Sequence, residues 1–139
     1  MSLVAKRAAL LADLLVLPEG EERFGYLLAA ARRYPPLAPE LHTDGHLVPG
    51  CVSRLWLVPE LRDGRCHFGM DADALISKGI AAVVCGFYEG ETPADIVATE
   101  PDFLAEAGLT QALSPNRSSG LSGLRGRIRA FALRHLDFA

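Results

Sequence analysis

The sequence predicts an α+β fold, a small antiparallel sheet packed against several helices. Two short apolar segments flank the turn signal Asp63-Gly64, and a long helical stripe runs from Ala72 to Phe87. Helix-spaced apolar residues also open and close the chain. Strands joined by a tight turn followed by long helical periodicity give an antiparallel hairpin sheet with helices packed on it.

The elements follow in order. Val4, Ala8, Leu11, Leu14 and Leu15 recur at helical spacing and predict an amphipathic first helix, ended near Leu17 by Pro18 and Gly20. Glu21 and Glu22 place negative charge at the start of a second helix, where the helix dipole favours it. Phe24, Leu27, Leu28 and Ala31 line its apolar side, and Pro35-Pro36 stop it. From Leu37 to Pro49 the prolines and Asp44-Gly45 read as loop, with a third strand expected from part of Leu41 to Val48.

The first hairpin strand spans Leu55 to Leu61. In the second, Cys66, Phe68 and Met70 alternate with Arg65, His67 and Gly69, so one face is apolar. The central helix carries Ala72, Leu75, Ile76, Gly79, Ile80, Val83, Val84 and Phe87 on one stripe, with Asp71 or Asp73 as its expected cap. Gly79 on that stripe predicts close backbone packing, and Lys78 beside it reads as solvated. Gly90 ends the helix. Thr92-Pro93-Ala94-Asp95 then has the cap, first-turn proline and first-turn acid of a short helix ending near Glu100-Pro101. Phe103 to Ala107 forms another short turn, and Ser114-Pro115 opens a last helix with Leu121, Leu124, Ile128, Phe131 and Leu136 on its apolar side.

The 139 residues, half of them hydrophobic and 22% charged, fit one globular domain spanning 1–139. A net charge of −3 gives no support to a nucleic-acid partner, and the basic residues between Arg117 and Arg134 read as a solvated helix face. The apolar run AALLADLLVL follows Lys6-Arg7 but is broken by Asp13 and lacks a cleavage site, so neither a signal peptide nor a membrane span is expected. A cytoplasmic protein with reduced thiols is the expectation from three cysteines, an odd number.

Those cysteines divide by setting. Cys85 lies amid AAVVCGF in the central helix, and Cys66 shares a strand face with Phe68 and Met70; both read as core. Cys51 follows Pro49-Gly50 where a loop meets a strand. It is either a small buried hydrophobe or a thiol reachable by a partner, since glycine lets a reagent approach closely. A metal site from Cys51, Cys66, Cys85 and Asp73 or His67 is a further reading, although the spacing lacks a Cys-x-x-Cys pair. A Cys–His hydrolase using His42, His46, His67 or His135 has no local signature. Asp73 reads as a capping carboxylate and Arg117 as an exposed charge.

Four segments in order carry a family resemblance. VPGCVSRLW (48–56), DADALISKGIAAVV (71–84), TPADI (92–96) and LTQALSPNRSSGL (109–121) resemble the ordered motifs of the SufE family, from about Glu21 to the end of the last helix. The resemblance implies a compact fold shared with IscU-like iron–sulfur scaffold proteins. It implies a sulfur acceptor, without a cofactor of its own, whose loop cysteine takes sulfane sulfur from a pyridoxal-phosphate-dependent cysteine desulfurase. Sulfur would then pass to an iron–sulfur assembly complex of the SufBCD kind. Carried over by position, Cys51 is the acceptor, while Asp73 and Arg117 hold the cysteine loop or contact the desulfurase. Trp56 matches as a core anchor. Val52 and Arg54 stand where the family often has polar residues and glutamine; an arginine at 54 resembles the CsdE branch, so the implied desulfurase is SufS-like or CsdA-like. Arg54, with Arg117, is also a cation able to favour the Cys51 thiolate. The alternative function under the same resemblance is an IscU-like metal or iron–sulfur scaffold.

Overall fold

The computed structural model describes residues 3–15, 21–48, 54–99 and 115–136. Helix α1 (Leu3–Leu15) and α2 (Glu21–Arg32) precede two single 3-10 turns, Pro39–Leu41 and Asp44–His46. Strands β1 (Leu55–Arg62) and β2 (Arg65–Ala72) follow, then α3 (Leu75–Tyr88), α4 (Pro93–Ala98) and α5 (Pro115–Arg134). The expected α+β class is observed.

Strands β1 and β2 pair antiparallel from Leu55↔Ala72 to Arg62↔Arg65. Asp63 at φ 53° and Gly64 at φ 76° form the connection. Two left-handed residues match the natural twist of a two-residue hairpin, and Asp-Gly supplies them at low cost. The alternation then places Leu57 opposite Met70, Pro59 opposite Phe68 and Leu61 opposite Cys66. Cys66, Phe68 and Met70 are buried, as their spacing predicted. The Phe68 ring meets Phe131 of α5 edge-on at 6.4 Å, joining the sheet to the last helix.

The outer edge of β2 is covered by the chain that leaves α3. The Cys66 amide donates to the Glu91 carbonyl at 2.8 Å, and the Gly90 amide donates to the Cys66 carbonyl at 2.8 Å. The Phe68 amide donates to Glu89 Oε1 at 2.9 Å. The edge is thus covered over Cys66 to Phe68, where a foreign strand would otherwise find free backbone groups. Lys6 of α1 reaches the same corner, donating to the carbonyls of Phe87 at 3.1 Å and Glu89 at 2.9 Å and pairing with Glu91 at 2.9 Å. A cation there satisfies the last carbonyls of α3 and complements its dipole.

Helix α3 is central, touching α1, α2, β2 and α5. Ile80, Val83, Val84 and Phe87 of its stripe are buried. Helix α2 lies so close that a Cβ on Gly79 would stand 2.5 Å from the Leu27 carbonyl oxygen. The predicted close packing at Gly79 is thus present. Thr92 caps α4, its Oγ1 accepting from the Asp95 amide at 3.3 Å. Thr92→Ala is expected to lower stability by about 1 kcal/mol, read as a shifted denaturant midpoint at unchanged slope. An unchanged midpoint would show that the cap contributes nothing.

Several expectations need correction. The 41–48 region contributes one isolated bridge, Leu47↔Trp56, and no third strand; the 3-10 turn at Asp44–His46 uses up the length a strand would need. Neither aspartate caps α3: its N-cap is Ala74, without a side-chain cap bond, because Asp71 and Ala72 belong to β2. Lys78 is buried, at 9% exposure, not solvated. In α1, Ala8 is exposed, while Leu3 is buried and Leu10 and Leu11 pack against the core. The Phe103–Ala107 turn lies outside the described residues.

Candidate functional site

Cys51 lies outside the described residues, but both ends of the segment that carries it are described. Val48 and Arg54 each stand three positions from it. On the leading side, the Val48 amide donates to the Leu55 carbonyl at 2.8 Å, and Leu47 bridges Trp56. Arg127 of α5 donates through Nη2 to the Leu47 carbonyl at 2.6 Å. On the trailing side, the Arg54 amide donates to Asp73 Oδ1 at 2.9 Å, and the Asp73 amide donates back to the Arg54 carbonyl at 3.0 Å. Asp73 and Arg54 are thus brought together, through the backbone of Arg54. Both are exposed. Arg117 falls in the first turn of α5, and its side chain lies outside the description.

The other two thiols are sealed. Cys66 and Cys85 are each 0% exposed. Burial pushes both thiols up from the ordinary range, and the negative charge of Glu89 adds to that. A raised thiol holds little thiolate at neutral pH, and thiolate is the reactive form. A metal site using all three cysteines with Asp73 or His67 would need these two thiols deprotonated, and they face packed side chains. His67 is instead engaged with Glu89. Among the described residues, no three His, Cys, Asp or Glu side chains gather as a metal would require.

The leading arm, residues 37–48, is held by a residue that sequence reasoning gave a different role. Asp71, at the end of β2, accepts from the Leu37 amide at 3.1 Å, from the Ala72 amide at 2.9 Å and from His42 Nε2 at 2.8 Å. Leu37 and His42 share Oδ2, while Lys78 of α3 pairs at 3.1 Å with Oδ1, the oxygen that also takes the Ala72 amide. An ionised carboxylate only accepts, so His42 carries its proton on Nε2. The His42 ring also rests on Trp56, with centroids 4.4 Å apart. Of these residues, His42 was considered only as a hydrolase base and Asp71 only as a helix cap, while Lys78 and Arg127 read as solvated charges. Lys78 next to the stripe glycine was the one available signal, since a residue adjoining the closest helix contact is easily covered.

Burial alone would raise the Asp71 carboxyl, but the bonds from His42, Lys78, Leu37 and Ala72 outweigh it and hold it below the usual carboxylate range. A folded-state value below the unfolded one means that the stabilisation is present above the unfolded value and is lost as pH falls through the folded one. The wild type is therefore expected to lose urea resistance below about pH 4 more steeply than an Asp71→Asn/Lys78→Met double variant. Parallel profiles for the two proteins would contradict this.

Comparison with known proteins adds two findings. A family model described as SufE, Fe-S metabolism associated domain, matches residues 8–132. The solution structure of a hypothetical protein from Thermus thermophilus superposes with a TM-score of 0.78 at 24% identity, covering 94% of this chain and 95% of that one. At that identity the likeness speaks for the fold. No helix among the described residues is long and apolar enough to cross a membrane.

Proposed function

Since the chain belongs to the SufE family, associated with Fe–S metabolism, we propose that it is a sulfur acceptor whose Cys51 takes sulfane sulfur from a cysteine desulfurase. The observation that carries this reading is the sealing of Cys66 and Cys85, both 0% exposed, which leaves Cys51 as the thiol for exchange.

In the proposed step the Cys51 thiolate attacks the outer sulfur of the desulfurase cysteine persulfide. A new sulfur–sulfur bond forms at Cys51 as the old one breaks, and the desulfurase cysteine leaves as a thiolate. The sulfane sulfur keeps its oxidation state, so no outside oxidant or reductant takes part. Arg54 and Arg117 are the cations we assign to favouring the Cys51 thiolate or contacting the desulfurase, and Asp73 to holding the trailing end of its segment. The desulfurase is SufS-like or CsdA-like and pyridoxal-phosphate-dependent, and the sulfur goes on to a SufBCD-like assembly complex. Residues 1–139 act as one SufE-like domain.

The alternative, an IscU-like scaffold, needs several ligands where the acceptor needs one. Protein incubated with a desulfurase and cysteine, without iron, should gain the mass of one sulfur atom and lose it on treatment with a thiol reductant. A chain that takes up no sulfur without iron, but binds iron and sulfide together, would sink the acceptor reading in favour of the scaffold.

A further inference from the structure

Asp71 does more than fill a buried position. Its carboxylate joins three separate parts of the chain: the start of the 37–48 arm through the Leu37 amide, the middle of that arm through His42, and α3 through Lys78. The Asp71 and Lys78 side chains are only 10% and 11% exposed. The arm runs from these contacts to Val48, whose amide is fixed to Leu55, and the chain then continues to Cys51 three residues later. His42 is the strut between the two ends, bonded to Asp71 on one side and lying on Trp56 on the other. Trp56 is itself the bridge partner of Leu47, the residue before Val48.

Neither the arm nor its two 3-10 turns supplies a buried residue before Val48. Its leucines Leu37, Leu41 and Leu47 are only half-buried, with Leu37 lying over Gly69 of β2, so the polar contacts add the fixed points that this shallow apolar footing lacks. Ordering a loop costs backbone entropy at every residue, which polar anchors at defined points help to offset. Asp73 secures the trailing end of the Cys51 segment; among the described residues, the leading end is secured by the arm and by Arg127 on Leu47.

From this arrangement we propose that Asp71 and His42 are positioning residues for the acceptor thiol, a latch that holds the leading arm so that Cys51 is presented to an incoming persulfide. The inference rests on the acceptor reading of Cys51. Lys78 supplies the counter-charge that lets the Asp71 carboxylate stay ionised while buried. His42 supplies a hydrogen-bond donor and a flat face, both of which an arginine also offers.

His42→Ala is the informative substitution, because Asp71→Asn leaves the Lys78 ammonium buried without a counter-charge and can unfold the chain. With melting curves confirming a folded protein, His42→Ala should exchange the Val48 and Leu37 amide protons faster than wild type. Its maximal rate of sulfur acceptance from a desulfurase persulfide should fall about tenfold or more, as misplacement of a reacting group by an ångström can cost. Alkylation of Cys51 by iodoacetamide, a small reagent that needs no docking, should change little. His42→Arg should restore both the slow exchange and most of the acceptance rate. Wild-type amide exchange or wild-type acceptance in His42→Ala would overturn the latch, and so would a His42→Arg protein as impaired as His42→Ala. A wild-type protein that accepts no sulfur would instead overturn the acceptor reading, while the Val48 exchange rates would still decide whether the latch exists.

Discussion

Cys51→Ser is expected to abolish sulfur uptake and to reduce desulfurase turnover to the rate of the desulfurase alone. A serine hydroxyl cannot form the sulfur–sulfur bond on which the transfer depends, so the loss is complete, not graded. Cys66→Ala and Cys85→Ala are expected to accept sulfur like wild type. Each removes a fully buried sulfur atom from the core, at a cost of about 1 kcal/mol in stability. The contrast is read by turnover assays on the three variants at equal concentration. If Cys51→Ser still stimulated the desulfurase fully, the protein would be a regulator of that enzyme and not a carrier.

Gly79→Ala carries the largest expected effect on stability. The added methyl would sit 2.5 Å from the Leu27 carbonyl oxygen and 2.8 Å from its carbon, both backbone atoms that cannot rotate away. Helices α2 and α3 would have to separate along their contact. Alanine regains about 1 kcal/mol of helix propensity, but overpacking of this kind costs about 3 kcal/mol. The net loss is then about 2 kcal/mol, or a melting temperature lower by about 8 °C for a chain of this size. A neutral or stabilising Gly79→Ala, measured by thermal or urea unfolding, would mean that the two helices are not held this close.

Much of the architecture was legible because one principle dominated each stretch. Asp63-Gly64 between alternating segments admits few structures besides a tight hairpin, and the residue alternation then decides which face is buried. The apolar stripe expected over four turns is buried in α3 from Gly79 to Phe87, whereas its first members depart, Ala72 falling in β2 and Leu75 being 60% exposed. Thr92-Pro93 marked a helix start for reasons of backbone chemistry that need no tertiary context.

The misreadings share a cause too. Asp71 and Asp73 sit where a helix cap would be plausible, yet β2 runs on through Ala72 and puts Asp71 beneath the 37–48 arm. Lys78 flanks the apolar stripe, and periodicity cannot tell whether that flank meets water or another element. Ala8 satisfies helical spacing, but neighbours outside α1 determine which of its faces is covered. In the candidate site, Cys51 stood out by its loop setting and took its acceptor role from motif resemblance, as Asp73, Arg117 and Arg54 took theirs; the anchoring of Arg54 by Asp73 became visible only in three dimensions. His42 and Arg127 act through contacts 14 and 80 residues away in the chain, and no local pattern announces such partners.

The central claim is that Cys51 holds the transferred sulfur, and locating that sulfur by peptide tests it most directly. After incubation with a cysteine desulfurase and cysteine, the protein is alkylated, digested without reductant and mapped by tandem mass spectrometry. One additional sulfur atom is expected on the Cys51 peptide, with the Cys66 and Cys85 peptides unchanged. Sulfane sulfur found on Cys66 or Cys85 in place of Cys51 would contradict the assignment.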